Sequence, residues 1–302
     1  MEHSEKYLIR SLMFVPAHNE KLLNKASTSD ADVLLLDIED SVQPVANKAV
    51  ARSNIKEYVS AGRFKDYLVF PRINDRESGQ LLRDLTELTI DGITGFMCPK
   101  SCKGEDVYFI DKLLETIEYE KGLPVGTFKL IPLIETAAAV LNAQDICTAS
   151  KRVIAIAFGC EDYITDLQGI HDSGGQSIQT ARAMIAMAAR ANGVIPIDTV
   201  HIKVHDLVDL EKNLIYAKNL GYEGMLVLNP KELPLVHQYF TPTEEEIHSA
   251  ETMLALAKQA IEEGRGVAMI GTKFIGPPMV KAAAKTLAKA RLAQSRAKTQ
   301  VQ

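Results

Sequence analysis

The chain has 302 residues, of which 46% are hydrophobic and 24% are charged, and its formal net charge is −5. This composition is typical of a globular protein, and the negative charge argues against nucleic acid or an anionic membrane as a partner. No apolar run is long enough to span a bilayer and the charged N-terminus lacks a signal-peptide core, so we expect a cytoplasmic protein.

Short apolar runs alternate along the chain with longer amphipathic stretches. The runs predicted to be strands are residues 8–16, 32–39, 67–73, 93–99, 128–135, 152–159, 194–200 and 224–230. Such continuously apolar runs are typical of parallel strands that helices cover on both faces.

Segments with helical periodicity lie between these runs. They include residues 19–27, 105–120, 136–147, 178–192 and 206–220. Gly193 and Gly221 follow two of these segments, at positions where helices commonly end. Eight strand-then-helix units in succession predict an α/β fold of the (β/α)8 TIM barrel type. A doubly wound open sheet is the alternative, and it is disfavoured because no G-x-G-x-x-G motif follows the first strand.

The chain continues beyond the eighth predicted strand. We expect residues 1–240 to form the barrel and residues 241–302 to form a C-terminal helical extension that packs on the barrel or on a neighbouring subunit. The extension contains a predicted helix near 243–263, a glycine-rich turn, and a cationic helix near 278–298.

Charged residues close several of the predicted strands. The segment LLLDIEDSV, residues 34–42, combines a buried run with Asp37, Glu39 and Asp40. Other strands end in the same manner, with Arg72 and Asn74, Lys100, Glu135, Glu161 and Asp162, and Asp198. Because chemistry in a barrel gathers at the carboxyl ends of strands, this pattern indicates a polar ligand at that rim. Solvation of loop ends explains part of the pattern.

Glu135 and Asp162 close adjacent strands, which lie about 5 Å apart, so both carboxylates could reach one cation. An all-oxygen pair with room for water and substrate oxygens suits Mg²⁺. One of the two could instead cap the helix that follows it. The sequence offers no C-x-x-C pair and no histidine cluster for zinc.

An ordered set of motifs resembles the citrate lyase beta subunit-like family, which includes malyl-CoA and citramalyl-CoA lyases. The motifs are RSLMFVPAHNEKLLNKA (10–26), DVLLLDIEDSV (32–42), PRIN (71–74), PK (99–100), IPLIETAAAV (131–140), AIAFGCEDY (155–163), IDTV (197–200) and GYEGMLVLNP (221–230). The resemblance implies a TIM barrel, typically trimeric or hexameric, that uses Mg²⁺ and a CoA or acyl-carrier thioester substrate.

The resemblance also implies roles for residues at the rim. Glu135 and Asp162 would hold the metal, and Arg72 and Glu39 would be catalytic, with Arg72 contacting substrate oxygens beside the metal. Glu39 could equally form a structural ion pair with Arg72.

Further residues are implied to bind the substrate. Lys100 and Asp198 would line the substrate pocket, although each could be structural. Pro16, Lys21 and Lys25 would contact CoA, the two lysines through its phosphates from one face of the first helix. Both lysines could also be ordinary solvated surface.

The implied activity is that of a carbon–carbon lyase. A 3-hydroxyacyl-CoA thioester such as malyl-CoA or citramalyl-CoA would split into acetyl-CoA and a 2-oxo acid. Mg²⁺ would act as a Lewis acid on the 2-oxo acid half. Arg72 would donate hydrogen bonds to the substrate oxygens from its permanently charged guanidinium.

Gly276 departs from the family pattern in the stretch GTKFIGPPMV, residues 271–280. Relatives carry there an Asp that reaches the neighbouring subunit's active site and handles a proton, which glycine cannot do. The alternatives are therefore a malate synthase-like condensing enzyme or a thioesterase on the same site, a non-catalytic homologue that binds acyl-CoA or 2-oxo acid, or the beta chain of a larger citrate lyase. Another acid or a water molecule could also supply the proton.

Overall fold

The computed structural model describes residues 3–170, 175–264, 268–270 and 273–300. The chain divides into two compact units, one of Ile9–His237 and one of Met1–Leu8 with Gln238–Gln302. Among the described residues, we find no helix with both the length and the apolar character that a membrane span requires.

In the described part of the chain, the unit Ile9–His237 is a closed barrel of eight parallel strands. They pair in chain order, and the first strand pairs with the last. The strands are β1 (Ser11–Pro16), β2 (Val33–Asp37), β3 (Leu68–Arg72), β4 (Gly95–Cys98), β5 (Lys129–Ile134), β6 (Ala155–Phe158), β7 (Ile195–Asp198) and β8 (Gly224–Val227). Each lies within the run predicted for it, and the TIM barrel prediction is confirmed.

Helices follow the strands around the barrel. They are α1 (Glu20–Ala26), α2 (Asn47–Ser60), α3 (Leu81–Leu88), α4 (Gly104–Glu120), α5 (Ala137–Leu141), α6 (Ala143–Thr148), α7 (Cys160–Leu167), α8 (Gln176–Ala191), α9 (Leu207–Leu220) and α10 (Leu233–Phe240). The single helix predicted at 136–147 is two helices, because the chain leaves helical geometry at Asn142. The Asn142 amide donates a hydrogen bond to the carbonyl of Cys102 (3.0 Å).

Close packing of the strands explains two of the glycines. A Cβ on Gly95 would lie 2.1 Å from the Lys129 carbonyl oxygen, and one on Gly224 would lie 2.0 Å from that of Ile9. Both glycines open a strand, so a side chain there would separate neighbouring strands of the barrel.

Buried ion pairs tie the amino-terminal ends of the strands together. Arg10 forks onto Asp32 just before β1 and β2, with both donor–acceptor distances 2.8 Å. Arg152 similarly binds Glu118 of α4 with its two terminal nitrogens. This end of a TIM barrel serves stability rather than chemistry.

The unit that contains the C-terminal part of the chain comprises α11 (Glu244–Glu262), β9 (Ala268–Ile270), β10 (Lys273–Ile275) and α12 (Pro277–Gln300). Strands β9 and β10 pair antiparallel, where the sequence predicted only a turn between two helices. Ile275 and Ala260 form the centre of a small apolar core. Gly276 is buried next to Ile275, and a Cβ on it would lie 3.1 Å from the Phe274 ring.

Candidate active site

Asp37 and Arg72 are register partners at the carboxyl ends of β2 and β3. Nε and Nη2 of Arg72 each donate a 2.7 Å hydrogen bond to one oxygen of Asp37, and both residues are buried. Burial acts to raise the pKa of Asp37, but Arg72 and the Ser41 hydroxyl outweigh it and hold that pKa below its usual value. Asp37 is therefore ionised, and it fixes the plane of the guanidinium.

The remaining nitrogen of Arg72 faces two further carboxylates. Nη1 lies 3.1 Å from Glu39 and 3.3 Å from Asp40, and the guanidinium carbon lies 4.9 Å from the centre of the Phe14 ring. Burial acts to lower the pKa of Arg72, but these carboxylates and Asp37 raise it above its usual value. Arg72 thus carries a permanent charge in a fixed orientation.

Glu39 lies between two cations, with Arg72 at 3.1 Å and the ammonium of Lys100 at 3.0 Å. It is only 4% exposed. Burial raises the pKa of Glu39 to about 7, with Arg72 opposing the shift and Asp40 adding to it. Glu39 can therefore exchange a proton near neutral pH.

Lys100 connects two of the predicted site residues. Its ammonium lies 3.0 Å from Glu39 and donates a 2.9 Å hydrogen bond to Asp75, while its backbone N–H donates to a carboxylate oxygen of Glu135. The backbone of Lys100 has φ 52°, in the left-handed region that side chains rarely adopt. The structure thus gives Lys100 a bridging position between carboxylates.

Glu135 directly follows β5 and is 3% exposed, whereas Asp162 lies exposed in the first turn of α7. Burial, helped by the negative charges of Glu39 and Asp162 and opposed by the hydrogen bond from the Lys100 N–H, raises the pKa of Glu135 to about 8. The alternative of a helix cap does not hold for Glu135, because the Thr136 hydroxyl caps α5. These carboxylates are close enough to repel one another, which favours a cation among them.

The donor set at this position is consistent with a hard cation. A Cβ on Gly159 would lie 3.2 Å from one carboxylate oxygen of Glu135, so this oxygen faces the turn that leads to Asp162. In the described part of the chain, no group of three or more His, Cys, Asp or Glu side chains could hold a metal ion. A site of two carboxylates, completed by water and substrate oxygens, is the kind that Mg²⁺ uses.

A cavity of about 740 Å³ opens at the carboxyl ends of the strands. Asp37, Arg72 and Asp162 contribute polar surface to its wall. Apolar side chains form much of the remaining wall, namely Met13, Phe14, Val15, Pro16, Leu22, Ala26, Leu133, Val200, Ile202, Leu226, Leu228 and Pro230. A ligand in this cavity would meet charge beside β2, β3 and α7 and apolar surface beside β1 and β8.

Of the three residues predicted to contact CoA, two line the cavity and one does not. Pro16 and Lys25 line the cavity. Lys21 is exposed on α1, and it is not one of the described residues that line the cavity. Lys100 is likewise outside that described lining, because its side chain extends toward Glu39 and Asp75.

Asp198 ends β7 and is buried. Its carboxylate accepts a 3.0 Å hydrogen bond from Nε of Arg182 and a second from Nη2. Arg182 in turn stacks on the ring of Tyr216, with 4.5 Å between the guanidinium carbon and the ring centre. The predicted contact of Asp198 with substrate stays a prediction, and the structure shows its carboxylate paired with Arg182.

The sequence profile of the HpcH/HpaI aldolase/citrate lyase family matches residues 10–230, the barrel and its rim. This chain belongs to that family. Citrate lyase subunit beta of Leuconostoc mesenteroides subsp. cremoris is 32% identical over 273 residues, covering 90% of each chain. L-malyl-CoA/beta-methylmalyl-CoA lyase of Rhodobacter capsulatus is 28% identical, covering 95% of this chain and 96% of that enzyme.

Solved structures agree with these sequence relatives. The crystal structure of CitE from Mycobacterium tuberculosis, in complex with magnesium, acetoacetate and coenzyme A, matches with a TM-score of 0.72 at 25% identity. The match covers 93% of this chain and 97% of CitE. The resemblance expected from the motifs is confirmed, and this member of the HpcH/HpaI family is a carbon–carbon lyase.

The sequence motifs did not indicate the part that Asp37 and Lys48 play in holding the candidate site. Asp37 was noted only as a charge, although its place as the last residue of a strand beside Arg72 was a usable signal. Lys48 of α2 is buried and donates to the carbonyl oxygens of Ile38 and Glu39, both at 3.0 Å, and to Asn74. Lys48 thereby holds the turn that carries Glu39, and no local sequence pattern indicates this.

Proposed function

We propose that this protein is a Mg²⁺-dependent lyase that cleaves a 3-hydroxyacyl-CoA thioester into acetyl-CoA and a 2-oxo acid, with malyl-CoA or citramalyl-CoA as substrate. The observation that carries the proposal is the grouping of Arg72, Glu39, Glu135 and Asp162 at the mouth of one barrel, beside a cavity with a large apolar wall. The names of the malyl-CoA lyase relative and the ligands of CitE support the same chemistry.

Glu135 and Asp162 would hold the metal together with water and oxygens of the 2-oxo acid half. When bound, Mg²⁺ supplies Lewis-acid stabilisation of negative charge on the oxygen that becomes the keto group. The fit rests on the oxygen-only donor set and on the mutual repulsion of these carboxylates, which a cation would remove.

The protein side chains would supply orientation and proton transfer. Arg72, held in plane by Asp37, would direct its guanidinium at the oxygens of the 2-oxo acid half. Glu39 would take the proton of the 3-hydroxyl group as the bond between the second and third carbons breaks. The electron pair of that bond passes to the acetyl thioester as its enolate, which would become acetyl-CoA by taking up one proton, either returned from protonated Glu39 or supplied by water. A pKa near neutrality suits Glu39 to this step.

CoA would occupy the side of the cavity formed by β1 and α1. Pro16 and Lys25 line it, and Lys21 lies one helical turn before Lys25 on the same face of α1. By resemblance to the family we also propose a homo-oligomer, a trimer or hexamer, which sedimentation of the purified chain would measure.

The test is direct. Purified protein is mixed with Mg²⁺ and either malyl-CoA or citramalyl-CoA, and acetyl-CoA is measured together with glyoxylate or pyruvate. We expect cleavage of at least one thioester, its loss on chelation, and its loss in Glu135→Ala and Asp162→Ala proteins that remain folded. Absence of cleavage with both thioesters would reject the proposal, and unchanged Mg²⁺ affinity in both variants would remove the metal assignment.

A second candidate function follows from Gly276, which has no side chain to move a proton. A silenced relative would bind an acyl-CoA without turnover, and Gly276→Asp would restore cleavage. Phe274 would have to move slightly, because the added Cβ lies 3.1 Å from its ring. Release of free CoA without a 2-oxo acid would instead identify a thioesterase.

A further inference from the structure

A second cavity, of about 290 Å³, lies beside the end of β7, and α8, α9 and the segment that follows β7 form its wall. Cys160, Val200 and Ile202 line both this cavity and the one at the barrel mouth, so they separate the two. Arg182 and Asp198 line the second cavity and are not among the described residues that line the first. The second cavity is therefore a distinct space, which the steps of the proposed lyase reaction do not use.

Arg182 brings a donor without a protein acceptor to this cavity. The residue is 3% exposed, and its Nε and Nη2 donate to the carboxylate of Asp198. Nη2 also donates to the carbonyl oxygen of Asn213 at 3.4 Å, whereas Nη1 has no acceptor among the described residues. Buried donors are nearly always hydrogen-bonded, so this nitrogen indicates a place where an acceptor from outside the protein binds.

Thr199 and Lys212 add two further donors to the same wall. The Thr199 hydroxyl, in a residue 6% exposed, accepts the N–H of Cys160 at 3.2 Å, and its own proton has no acceptor in the described part of the chain. Lys212 is exposed on α9, and its ammonium forms no ion pair or hydrogen bond with any described residue. Lys203 differs, because it is paired with Asp209 at 3.3 Å. The three donors thus come from α8, α9 and the segment after β7.

The charge of the wall favours an anion with a single negative charge. Three cations, Arg182, Lys203 and Lys212, face two carboxylates, those of Asp198 and Asp209, which leaves one positive charge over. A dianion such as phosphate would be repelled by the two carboxylates.

Apolar side chains complete the second cavity. They are Ile178, Val200, Ile202, Tyr216 and Met225. Small-molecule sites commonly combine such an apolar lining with a few placed polar groups that fix the orientation of the ligand. An organic acid can lay its carbon chain on these side chains while its carboxylate meets the donors.

We infer that this second cavity binds a small organic monocarboxylate, with Nη1 of Arg182, the Thr199 hydroxyl and the Lys212 ammonium donating to its carboxylate. Hydrogen bonds to an ionised acceptor are roughly twice as strong as those between neutral groups. The inference is independent of the proposed function, because none of these three residues binds the metal, the thioester or the 2-oxo acid in that proposal.

Methionine methyl groups report on the two cavities separately. Met225 lines the second cavity, and Met13 lines the cavity at the barrel mouth. Protein with ¹³C-labelled methionine methyl groups is titrated with butanoate in metal-free buffer with chelator and followed by NMR, with the two resonances assigned from Met225→Leu and Met13→Leu. We expect a saturable shift of the Met225 resonance, and none with butanamide, which has the same shape without the charge.

Variants test the assigned donors. Lys212→Met should weaken butanoate binding roughly fivefold, as for an exposed ion pair. Thr199→Val should weaken it roughly tenfold, as for a lost hydrogen bond to a charged group, and Thr199→Ser, which keeps the hydroxyl, should retain it. Lys218→Met makes the same charge change at an exposed position of α9 outside the described cavity lining, and should bind as the wild type does.

Several results would overturn the inference. Without a saturable Met225 shift, or with a shift of Met13 alone, the second cavity is not a carboxylate site. Tighter binding of inorganic phosphate than of butanoate at Met225 would contradict a monocarboxylate as the ligand. Equal butanoate affinities in Lys212→Met and Lys218→Met, together with equal affinities in Thr199→Val and Thr199→Ser, would rule out the assigned donors.

Discussion

Arg72, which we propose to be catalytic, is held in one orientation by its neighbours. Two of its nitrogens bind Asp37, and the third faces Glu39 and Asp40. The two parallel hydrogen bonds to Asp37 fix the plane of the guanidinium, so the group is already oriented in the ligand-free protein. A preorganised donor of this kind stabilises developing negative charge more than a mobile one.

Because Arg72 and Asp37 are joined by a bidentate contact, we expect mutations of the two residues to have non-additive effects on kcat. Arg72→Lys keeps the charge but cannot form two parallel hydrogen bonds, so we expect kcat to fall roughly 100-fold with the barrel still folded. Asp37→Asn should lower kcat by removing the same constraint. The double variant should be little worse than Arg72→Lys, as a double-mutant cycle on kcat would measure. Fully additive losses would show that Asp37 acts independently of Arg72.

The positive φ of Lys100 predicts that a glycine at this position gives a more stable protein than an alanine does. Lys100→Gly and Lys100→Ala both remove the ammonium group from Glu39 and Asp75, but only glycine tolerates φ 52° without strain. We expect the Gly variant to be more stable than the Ala variant by about 1 kcal/mol in urea unfolding. Equal stabilities would mean that the left-handed backbone at Lys100 carries no strain.

At the scale of elements, the turn between β6 and α7 packs against Glu135, one of the two carboxylates proposed to hold the metal. Gly159 lies against Glu135, and a Cβ on it would lie 2.9 Å from the Cβ of Glu135. A methyl group there must displace the carboxylate, since real Cβ atoms do not approach so closely.

Gly159→Ala should therefore lower Mg²⁺ affinity about tenfold. This is the smaller of the losses that are typical when a residue supporting a metal ligand is mutated. Gly169→Ala is the matched control, because its Cβ would meet Leu167 at an ordinary 3.6 Å beyond the end of α7. Titration with Mg²⁺ followed by calorimetry measures both variants. Equal affinities in the two would show that Glu135 is not held by this turn.

At the scale of the whole molecule, the two ends of the barrel serve different purposes. The amino-terminal end is held by buried pairs such as Arg10 with Asp32. The carboxyl end accumulates acids whose pKa values burial raises, as for Glu39 and Glu135. The mouth is thus held in an arrangement that costs stability, which the rest of the barrel offsets.

Global stability should depend on pH through Glu232, which is 1% exposed in the turn after β8. Burial raises its pKa from 4.5 to about 7. The stability that protonated Glu232 contributes is complete below pH 4.5 and is lost as the pH rises through 7. Relative to Glu232→Gln, the wild type should lose on the order of 2 kcal/mol between these limits.

Urea unfolding of both proteins at pH 5 and pH 8 measures this loss. The exposed Glu120→Gln, at the end of α4, is the control and should show no pH-dependent difference from the wild type. A constant difference between wild type and Glu232→Gln at both pH values would mean that Glu232 is ionised throughout.

Much of the barrel was predictable because its signals are local. Each strand is a continuous apolar run, as in β2, where every residue is buried. Parallel strands in a closed barrel end at one rim, so the sequence alone places Arg72, Glu135 and Asp162 at the same mouth. The antiparallel pair β9–β10 was not predicted, since its short strands lack a distinctive pattern.

The sequence by itself thus determined the order of strands, the closure of the barrel and the rim at which its charged residues gather, because hydrophobic periodicity and strand direction are properties of short segments. The tertiary structure decided which charges are paired. Asp37 meets Arg72 across 35 positions, while Asp198 is held by Arg182 of α8. Such pairs depend on side-chain direction and on contacts between distant segments, which no local pattern encodes.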